Sequence, residues 1–527
     1  MPAMLWNGWG DPDRATRLPD SVVGLLRELL GVRSVPLPPV SLEEMAPPAP
    51  RPAVRALAEI VGPEHVSTDD EARIRHTRGK STADLLRMRA GDAREAPDAV
   101  VLPGAHAEVL AVLERCSRER IAVVPFGGGT SVVGGLTAEG EGFAGVVALD
   151  LRRLDRITAL DTVSRTVTLQ AGLRAPRAEA LLAERGYTLG HYPQSYEWAT
   201  IGGFAATRSS GQASAGYGRF DEMVAGLTVA TPRGTLTLGR APKSAAGPDL
   251  RQLVLGSEGA FGVITDVTAR VRPLPEARRY EGWRFPTFAE GTAAVRALAQ
   301  DGPLPTVLRL SDETETMIGL ARPEEIGEGR GDGCLAICGY EGAREEVAGR
   351  RAGAHAVLRA HGGEPLGEGP GESWAAGRFS APYLRDALLD VGAFAETLET
   401  AGFWSNLPRL LETVRLTLSR ELPSSLVMCH ISHVYPDGAS LYFTVVSAQG
   451  DDPLARWRRA KAAVSDAIVE AGGTISHHHG VGTDHRDWLA REAGPLGTDV
   501  LRAVKDRLDP MGVLNPGVLV PSTRSGG

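Results

Sequence analysis

Cysteine is nearly absent from this 527-residue chain: Cys116, Cys334, Cys338 and Cys429 are the whole complement. That is too few for a disulfide framework, and Cys334-x-x-x-Cys338 lacks the further ligands of a metal or redox motif, so buried free thiols are expected. Excess basic charge is missing too. Lys and Arg total 57 against 65 Asp and Glu, a formal net charge of −8. With no basic domain standing out, nucleic acid is not an expected partner. No apolar run approaches the roughly 20 residues that span a bilayer. Residues 1–10 lack the basic and apolar regions of a signal peptide, and the closing Ser525-Gly526-Gly527 carries no peroxisomal address. A cytoplasmic location is expected. Internal repeats and low-complexity tracts are also lacking. What is present is the composition of a soluble globular protein, 43% hydrophobic and 23% charged, too long for a single core.

Texture along the chain divides it into four parts. Residues 1–95 read as a polar, mostly helical lead-in, with helical apolar spacing over 22–30 and an extended, proline-rich connector over 36–52. It carries two local motifs. Trp6-Asn7-Gly8-Trp9-Gly10 reads by itself as a pair of anchoring aromatics, and Arg78-Gly79-Lys80-Ser81 as a solvated turn. Over 96–277 strands alternate with helices. Strands are predicted at 99–103, 121–124, 145–150 and 166–172, helices at 107–120 and 175–186, and a hairpin pairs 224–231 with 234–238. Over 278–480 the spacing predicts four strands of an antiparallel sheet (307–310, 335–339, 427–434 and 440–447). Helices near 289–300, 343–361, 407–421 and 453–472 are predicted to cover one face. Residues 481–527 hold a last helix and Asp509-Pro510-Met511-Gly512-Val513-Leu514-Asn515-Pro516-Gly517.

The chemistry begins at Pro125-Phe126-Gly127-Gly128-Gly129-Thr130-Ser131, directly after the strand at 121–124. Three glycines without Cβ let the backbone turn sharply and approach a ligand. Their N–H groups, with the hydroxyls of Thr130 and Ser131, make a concave donor set suited to a pyrophosphate. The segment has neither Rossmann spacing nor the Gly-Lys-Ser/Thr of a P-loop. Alone, it is an ordinary glycine-rich turn. It is not alone: Gln194-Ser195, Thr200-Ile201-Gly202-Gly203, Thr207-Arg208-Ser209-Ser210 and the segment from Gly256 to Thr265, which holds Glu258, Gly262, Val263 and Ile264, repeat its small, hydroxylated character. That suits a long, extended dinucleotide.

A second centre is His477-His478-His479-Gly480-Val481-Gly482. Consecutive imidazoles cannot face one way and do not make the i, i+4 metal pair of a helix. A metal-binding surface loop or a chance run are the plain readings. The Gly472-Gly473 turn and a short strand predicted over 474–476 place the triplet on a tight loop. Tyr442, from its strand position, reads as core packing, and Arg385 as a solvated helix charge. Arg309 alternates with apolar neighbours and faces either a pocket or solvent.

Taken together, these segments resemble the vanillyl-alcohol oxidase and p-cresol methylhydroxylase superfamily, in which such a glycine loop holds the FAD pyrophosphate. The resemblance implies an α+β fold: a two-lobed flavin-binding domain (96–277), a substrate-binding cap with an antiparallel sheet covered by helices (278–480), and a C-terminal segment (481–527) returning to the flavin domain. It assigns FAD contacts to Pro125, Phe126, Gly127, Gly128, Gly129, Thr130, Ser131, Gln194, Ser195, Thr200, Gly202, Gly203, Thr207, Arg208, Ser209, Ser210, Glu258, Gly262, Val263 and Ile264. No histidine stands in the loop where covalently flavinylated relatives have one, so the FAD is expected to be non-covalent. The D-2-hydroxyacid dehydrogenase branch carries Glu-His-Gly and a His-x-Gly-Asp-Gly-Asn-x-His metal motif. Here stand His478-His479-Gly480 and, upstream, His433 to Tyr442 without the second histidine, so no metal is expected.

The histidine triplet, Tyr442 and Trp6-Asn7-Gly8-Trp9-Gly10 resemble the alkyldihydroxyacetonephosphate synthase family, over nearly the whole chain. That likeness implies exchange of the acyl chain of 1-acyl-dihydroxyacetone phosphate for a long-chain fatty alcohol through an adduct at the flavin N5, without net redox. It implies that Tyr442 transfers protons, that His477, His478 and His479 surround C1 and the phosphate, and that Arg385 and Arg309 bind substrate. Gln194 and Ala199 depart from the family pattern by losing a carboxylate and a hydroxyl. Lipid substrates imply peripheral membrane contact, and a homodimer is compatible with the likeness. Two other readings remain open at this point. One is an oxidase or dehydrogenase of a hydroxy acid or secondary metabolite; the other is a non-catalytic flavin- or lipid-binding protein.

Overall fold

The apolar run after the first long helix becomes a buried strand that delivers the glycine loop. In the computed structural model, which describes residues 4–33, 36, 38–137, 139–319 and 333–520, the first sheet has four strands. They are β1 (Val66–Ser67), β2 (Ala99–Val101), β3 (Ile121–Phe126) and β4 (Gly145–Asp150), in the order β1-β2-β4-β3. β4 lies parallel to both β2 and β3. Helix His106–Glu119 buries Val109, Val112, Leu113 and Cys116, one face at helical spacing. It ends at Arg120 in the left-handed conformation, which turns the chain into β3. The second sheet holds β5 (Ile157–Asp161), β6 (Thr166–Gln170), β7 (Val224–Thr231), β8 (Gly234–Leu238) and β9 (Val263–Arg270), ordered β5-β6-β9-β7-β8 and antiparallel throughout. The predicted hairpin is β7–β8, with the bounds expected. One aliphatic core lies beneath both sheets.

The third sheet has seven strands rather than the four expected: β10 (Ala277–Phe285), β11 (Val307–Ser311), β12 (Cys334–Gly342), β13 (Glu364–Gly367), β14 (Ala393–Phe403), β15 (Leu426–Ile431) and β16 (Gly438–Ala448). They run in the order β13-β10-β12-β11-β15-β16-β14. The unread strands are β10, rich in arginine, the exposed β13, and β14, whose sequence AFAETLETAGF has helical composition. The two-residue alternation of a pleated sheet divides its faces. Leu308, Leu310, Ala336, Cys338, Cys429, Ile431, Leu441, Phe443 and Val445 enter a core under the helices Phe288–Asp301, Arg344–Ala360, Leu407–Glu421 and Pro453–Glu470. Arg309, Ser311, Ile337, His430, Tyr442, Thr444 and Thr397 face the other way, into a cavity. All four cysteines are buried and free.

The Arg78–Ser81 segment is not a solvated turn. Arg78 and Lys80 are 4% and 7% exposed. Gly79 packs on the glycine loop so closely that a Cβ would sit 2.1 Å from Ser131 O. The Lys80 amide donates to that same carbonyl at 2.6 Å, and Ser81 caps helix Thr82–Arg89 through Asp84 N. The strand expected over 474–476 is a loop. The C-terminal Val513–Leu514 returns to β3, where Val123 N donates to Val513 O and Asn515 N to Val123 O, both at 2.8 Å. The closing Ser525-Gly526-Gly527, on which the address reading rested, lies outside the described residues. Among the described residues no helix is long and apolar enough to cross a membrane.

Candidate active site

A cavity of about 460 Å³ lies between the glycine loop and the third sheet, within the range of pockets that enclose a small-molecule ligand. Every residue assigned to the cofactor lines it, with one exception. Arg208 turns away: its guanidinium donates to Leu255 O, Gln252 O and Gln252 Oε1 at 2.7–3.0 Å, and so pins the segment before Glu258.

Two observations fit the loop to a dinucleotide pyrophosphate. Among the described residues the N–H groups of Gly127, Gly128, Gly129, Thr130 and Ser131 meet no protein acceptor, so the donor cradle is free. There is also no room for side chains there. A Cβ on Gly128 would lie 2.2 Å from Trp198 O, and one on Gly127 2.5 Å from Thr200 Oγ1. Thr200 caps helix Ile201–Thr207 through Gly203 N, which points that helix's N-terminus at the cavity beside the loop. Glu258 is buried and pushed up to about 7, because burial outweighs the N–H donors of Gly482 and Val481 at 2.9 and 2.8 Å. It ties the cofactor half to the histidine loop.

On the opposite wall a row of side chains crosses four strands of the sheet, β11, β15, β16 and β14. Ser311 pairs with His430, His430 with Tyr442, and Tyr442 with Glu399. The Tyr442 ring stacks on His430 at 4.8 Å and 16° and lies 5.9 Å from His478 and 5.5 Å from His479. Burial pushes its phenol up to about 12, so the resting side chain is protonated and neutral. Burial also lowers His478, and lowers His479 to about 3, leaving both as neutral imidazoles.

Glu399, which sequence reasoning missed, holds the triplet in place. It is 3% exposed. Its Oε1 accepts from Ser476 Oγ (2.8 Å), His478 N (3.1 Å) and His479 N (2.9 Å), and its Oε2 from His477 N (2.7 Å). Burial alone would raise this carboxyl; with the imidazoles of His478, His479 and His477 neutral, it is their backbone N–H donors that hold it below the usual range. With one carboxylate gathering three successive N–H groups, the imidazoles must splay. His478 and His479 line the cavity and His477 does not. His477 instead takes a second-row position, with Nε2 2.7 Å from Tyr435 Oη and Nδ1 3.1 Å from His478 Nδ1.

His433, His477 and His478 bring ring nitrogens within 4.8 Å of one another. The same three rings also take part in hydrogen bonds: His433 Nδ1 lies 2.7 Å from Ser214 Oγ and 3.0 Å from Ser210 Oγ.

Both predicted arginines line the cavity. Arg309 pairs with buried Glu315 and approaches His430 Nδ1 at 2.9 Å. Against burial, His430 and Arg309 bring Glu315 down to about 2. Arg385 donates through Nε and Nη2 to Asp386 (3.2 and 3.1 Å) and through Nη1 to Lys80 O (2.5 Å). Sequence reasoning passed over His430, Glu315 and Asp386. The available signal was a polar residue alternating with apolar ones, as in Met428-Cys429-His430-Ile431.

Comparison with known proteins agrees with this geometry. Residues 97–239 match the family model "FAD binding domain" and residues 274–519 the model "FAD linked oxidases, C-terminal domain". FAD is the cofactor. The chain is 33% identical to alkyldihydroxyacetonephosphate synthase of Dictyostelium discoideum, over 98% of this chain and 94% of that one. It superposes on a solved alkyldihydroxyacetonephosphate synthase with a TM-score of 0.82 at 31% identity, covering 97% of this chain and 98% of the other. Substrate-bound p-cresol methylhydroxylase shares the fold, with a TM-score of 0.71 at 15% identity over 90% and 97% of the two chains. The chain belongs to the alkyldihydroxyacetonephosphate synthase family, on the two-lobed flavin-binding α+β fold with a helix-covered antiparallel cap.

Proposed function

We propose that this protein exchanges the acyl chain of a 1-acyl-dihydroxyacetone phosphate for a long-chain fatty alcohol, giving the alkyl ether and a fatty acid without net oxidation. The observation that carries the reading is Tyr442, a half-buried neutral phenol set against His430, His478 and His479 on the wall opposite the flavin loop. FAD, when bound through non-covalent contacts, supplies the electron-deficient ring that activates C1 of the dihydroxyacetone moiety. The chain's own residues supply the rest. Tyr442 Oη takes the proton from C1 while its own proton passes to the neutral imidazole of His478; His479 lines the same wall. A phenol raised to about 12 is protonated near neutral pH, so it can accept the C1 proton only as its own proton moves to a neighbouring neutral imidazole. Arg385 and Arg309 oppose the phosphate and the departing carboxylate, which accept paired N–H donors well. His477 acts from the second row by orienting His478. Contact with a membrane surface brings the two lipid substrates to the cavity.

The test is anaerobic. FAD-loaded protein receives 1-palmitoyl-dihydroxyacetone phosphate and then hexadecanol, with flavin absorbance followed and lipids identified by mass spectrometry. Bleaching that recovers as alkyl-dihydroxyacetone phosphate forms is the expected result. Tyr442→Phe should lower turnover at least 100-fold while FAD stays bound. No spectral change and no ether product would refute the assignment.

A further inference from the structure

The two N-terminal motifs, about 70 positions apart in sequence, form one structure at the cavity. The strap of residues 4–11 reaches the cavity at Trp9, with its carbonyls held by cations. Arg75 donates to Met4 O at 3.0 Å, Lys80 Nζ to Leu5 O and Trp6 O at 2.6 and 3.1 Å, and Arg89 to Asn7 O at 3.1 Å. Gly10 allows the chain to turn, with φ of 73° and no room for a Cβ against Tyr383 Oη at 2.2 Å. The strap thereby seats Trp9 against Trp198 and Tyr383. Trp9 is 4% exposed, lines the cavity, and among the described residues its indole Nε1–H has no acceptor. A buried indole N–H normally finds a partner. An orphan donor on a cavity wall is a place for a ligand oxygen.

The strap is also joined to Arg385. Asp386 Oδ2 accepts the Trp9 amide at 2.5 Å while its Oδ1 accepts Arg385 Nε and Nη2. Lys80, whose ammonium clamps the strap, offers its carbonyl to Arg385 Nη1. One carboxylate and one lysine thus hold the cavity's tryptophan and its arginine in a fixed relation.

We propose that the strap forms half of the substrate's anion subsite: the Trp9 indole N–H donates to the phosphate gripped by Arg385, with Asp386 and Lys80 as positioning residues. This rests on the acyl-dihydroxyacetone phosphate reading for its natural ligand but not for its chemistry, which any phosphate oxygen satisfies.

The experiment uses FAD-loaded protein with 15N-labelled tryptophan indoles. Trp9→Phe removes one indole resonance and so assigns it. Titration with inorganic phosphate, and separately with 1-palmitoyl-dihydroxyacetone phosphate, should shift that resonance downfield and saturate. Trp9→Phe should weaken both ligands about tenfold, as loss of one hydrogen bond to a charged group does, with FAD affinity unchanged. Asp386→Asn should raise KM for the acyl substrate and blunt the Trp9 shift, with kcat less affected. A Trp9 resonance that stays still while phosphate or substrate binds, or wild-type affinity in Trp9→Phe, would overturn the proposal. A shift with phosphate in a protein that forms no ether would uphold the subsite and refute the reaction instead.

Discussion

Replacing Glu399 by Gln should release the histidine loop without dislodging the flavin, and the structure sets the size of the effect. The carboxylate accepts four hydrogen bonds from Ser476, His477, His478 and His479. A glutamine with its oxygen at the Oε1 position keeps three of them, but as neutral bonds, each weaker by about 1 kcal/mol. Its Nε2 then faces His477 N, donor against donor, and the buried amide loses its acceptor at a further cost of about 1–3 kcal/mol. The total of about 4–6 kcal/mol falls on one loop, so local opening should rise by about 10³–10⁴. Hydrogen–deuterium exchange of peptides spanning 474–482 in FAD-loaded protein reads this directly. Loss of ether formation by at least 100-fold should accompany it, with the flavin spectrum intact, because Glu399 does not line the cavity. Exchange within tenfold of wild type, or activity within threefold, would refute the assignment of Glu399 as the anchor.

Gly128→Ala should abolish FAD loading, since its Cβ would lie 2.2 Å from Trp198 O and neither backbone can yield cheaply. The ratio of flavin to protein absorbance in the purified variant checks this, and normal loading would refute the cradle. Stability should fall on acidification. Burial lowers His433, His477, His478 and His479 below their unfolded value of about 6.5. Their contribution is therefore full above that pH and lost below it, as only the unfolded chain takes up the protons. Glu258, raised to about 7, acts oppositely between about pH 4.3 and 7, because there the folded state holds its proton. Asp312, raised by burial to about 6, opposes them as Glu258 does, and the histidines outnumber these two carboxyls, so unfolding takes up protons on balance. Other buried histidines, such as His191, lowered to about 3, add to that uptake. A melting temperature constant from pH 6.5 to 5 would contradict the buried neutral cluster.

What could be read from the sequence followed the rules of local periodicity. The hairpin β7–β8, strand β4 and the helices of the cap all carry apolar residues at the spacing of their own element, so their faces and bounds are encoded within a few residues. Strand β14 breaks that rule for a functional reason. Its outward positions hold Thr397 and Glu399, and a carboxylate buried in a strand interior makes AFAETLETAGF resemble an amphipathic helix. The misreading and the function have one cause: only a buried acceptor can gather three consecutive histidine amides. The same holds for Lys80. In sequence it is one cation in a charged stretch, and its solvent-facing reading follows from the cost of burying an unpaired ammonium. The cost is offset by carbonyls of a strap about 70 residues earlier, whose exposed oxygens no local pattern reveals. Burial still lowers the lysine to about 7. Folded stability linked to it should therefore decline as pH falls from about 10 toward 7, since only the unfolded lysine is then fully charged. Trp9 and Lys80 were legible separately as motifs and illegible as a pair. Contacts that assemble the site across distant segments are where this chain departs most from local expectation, and that departure marks its functional residues.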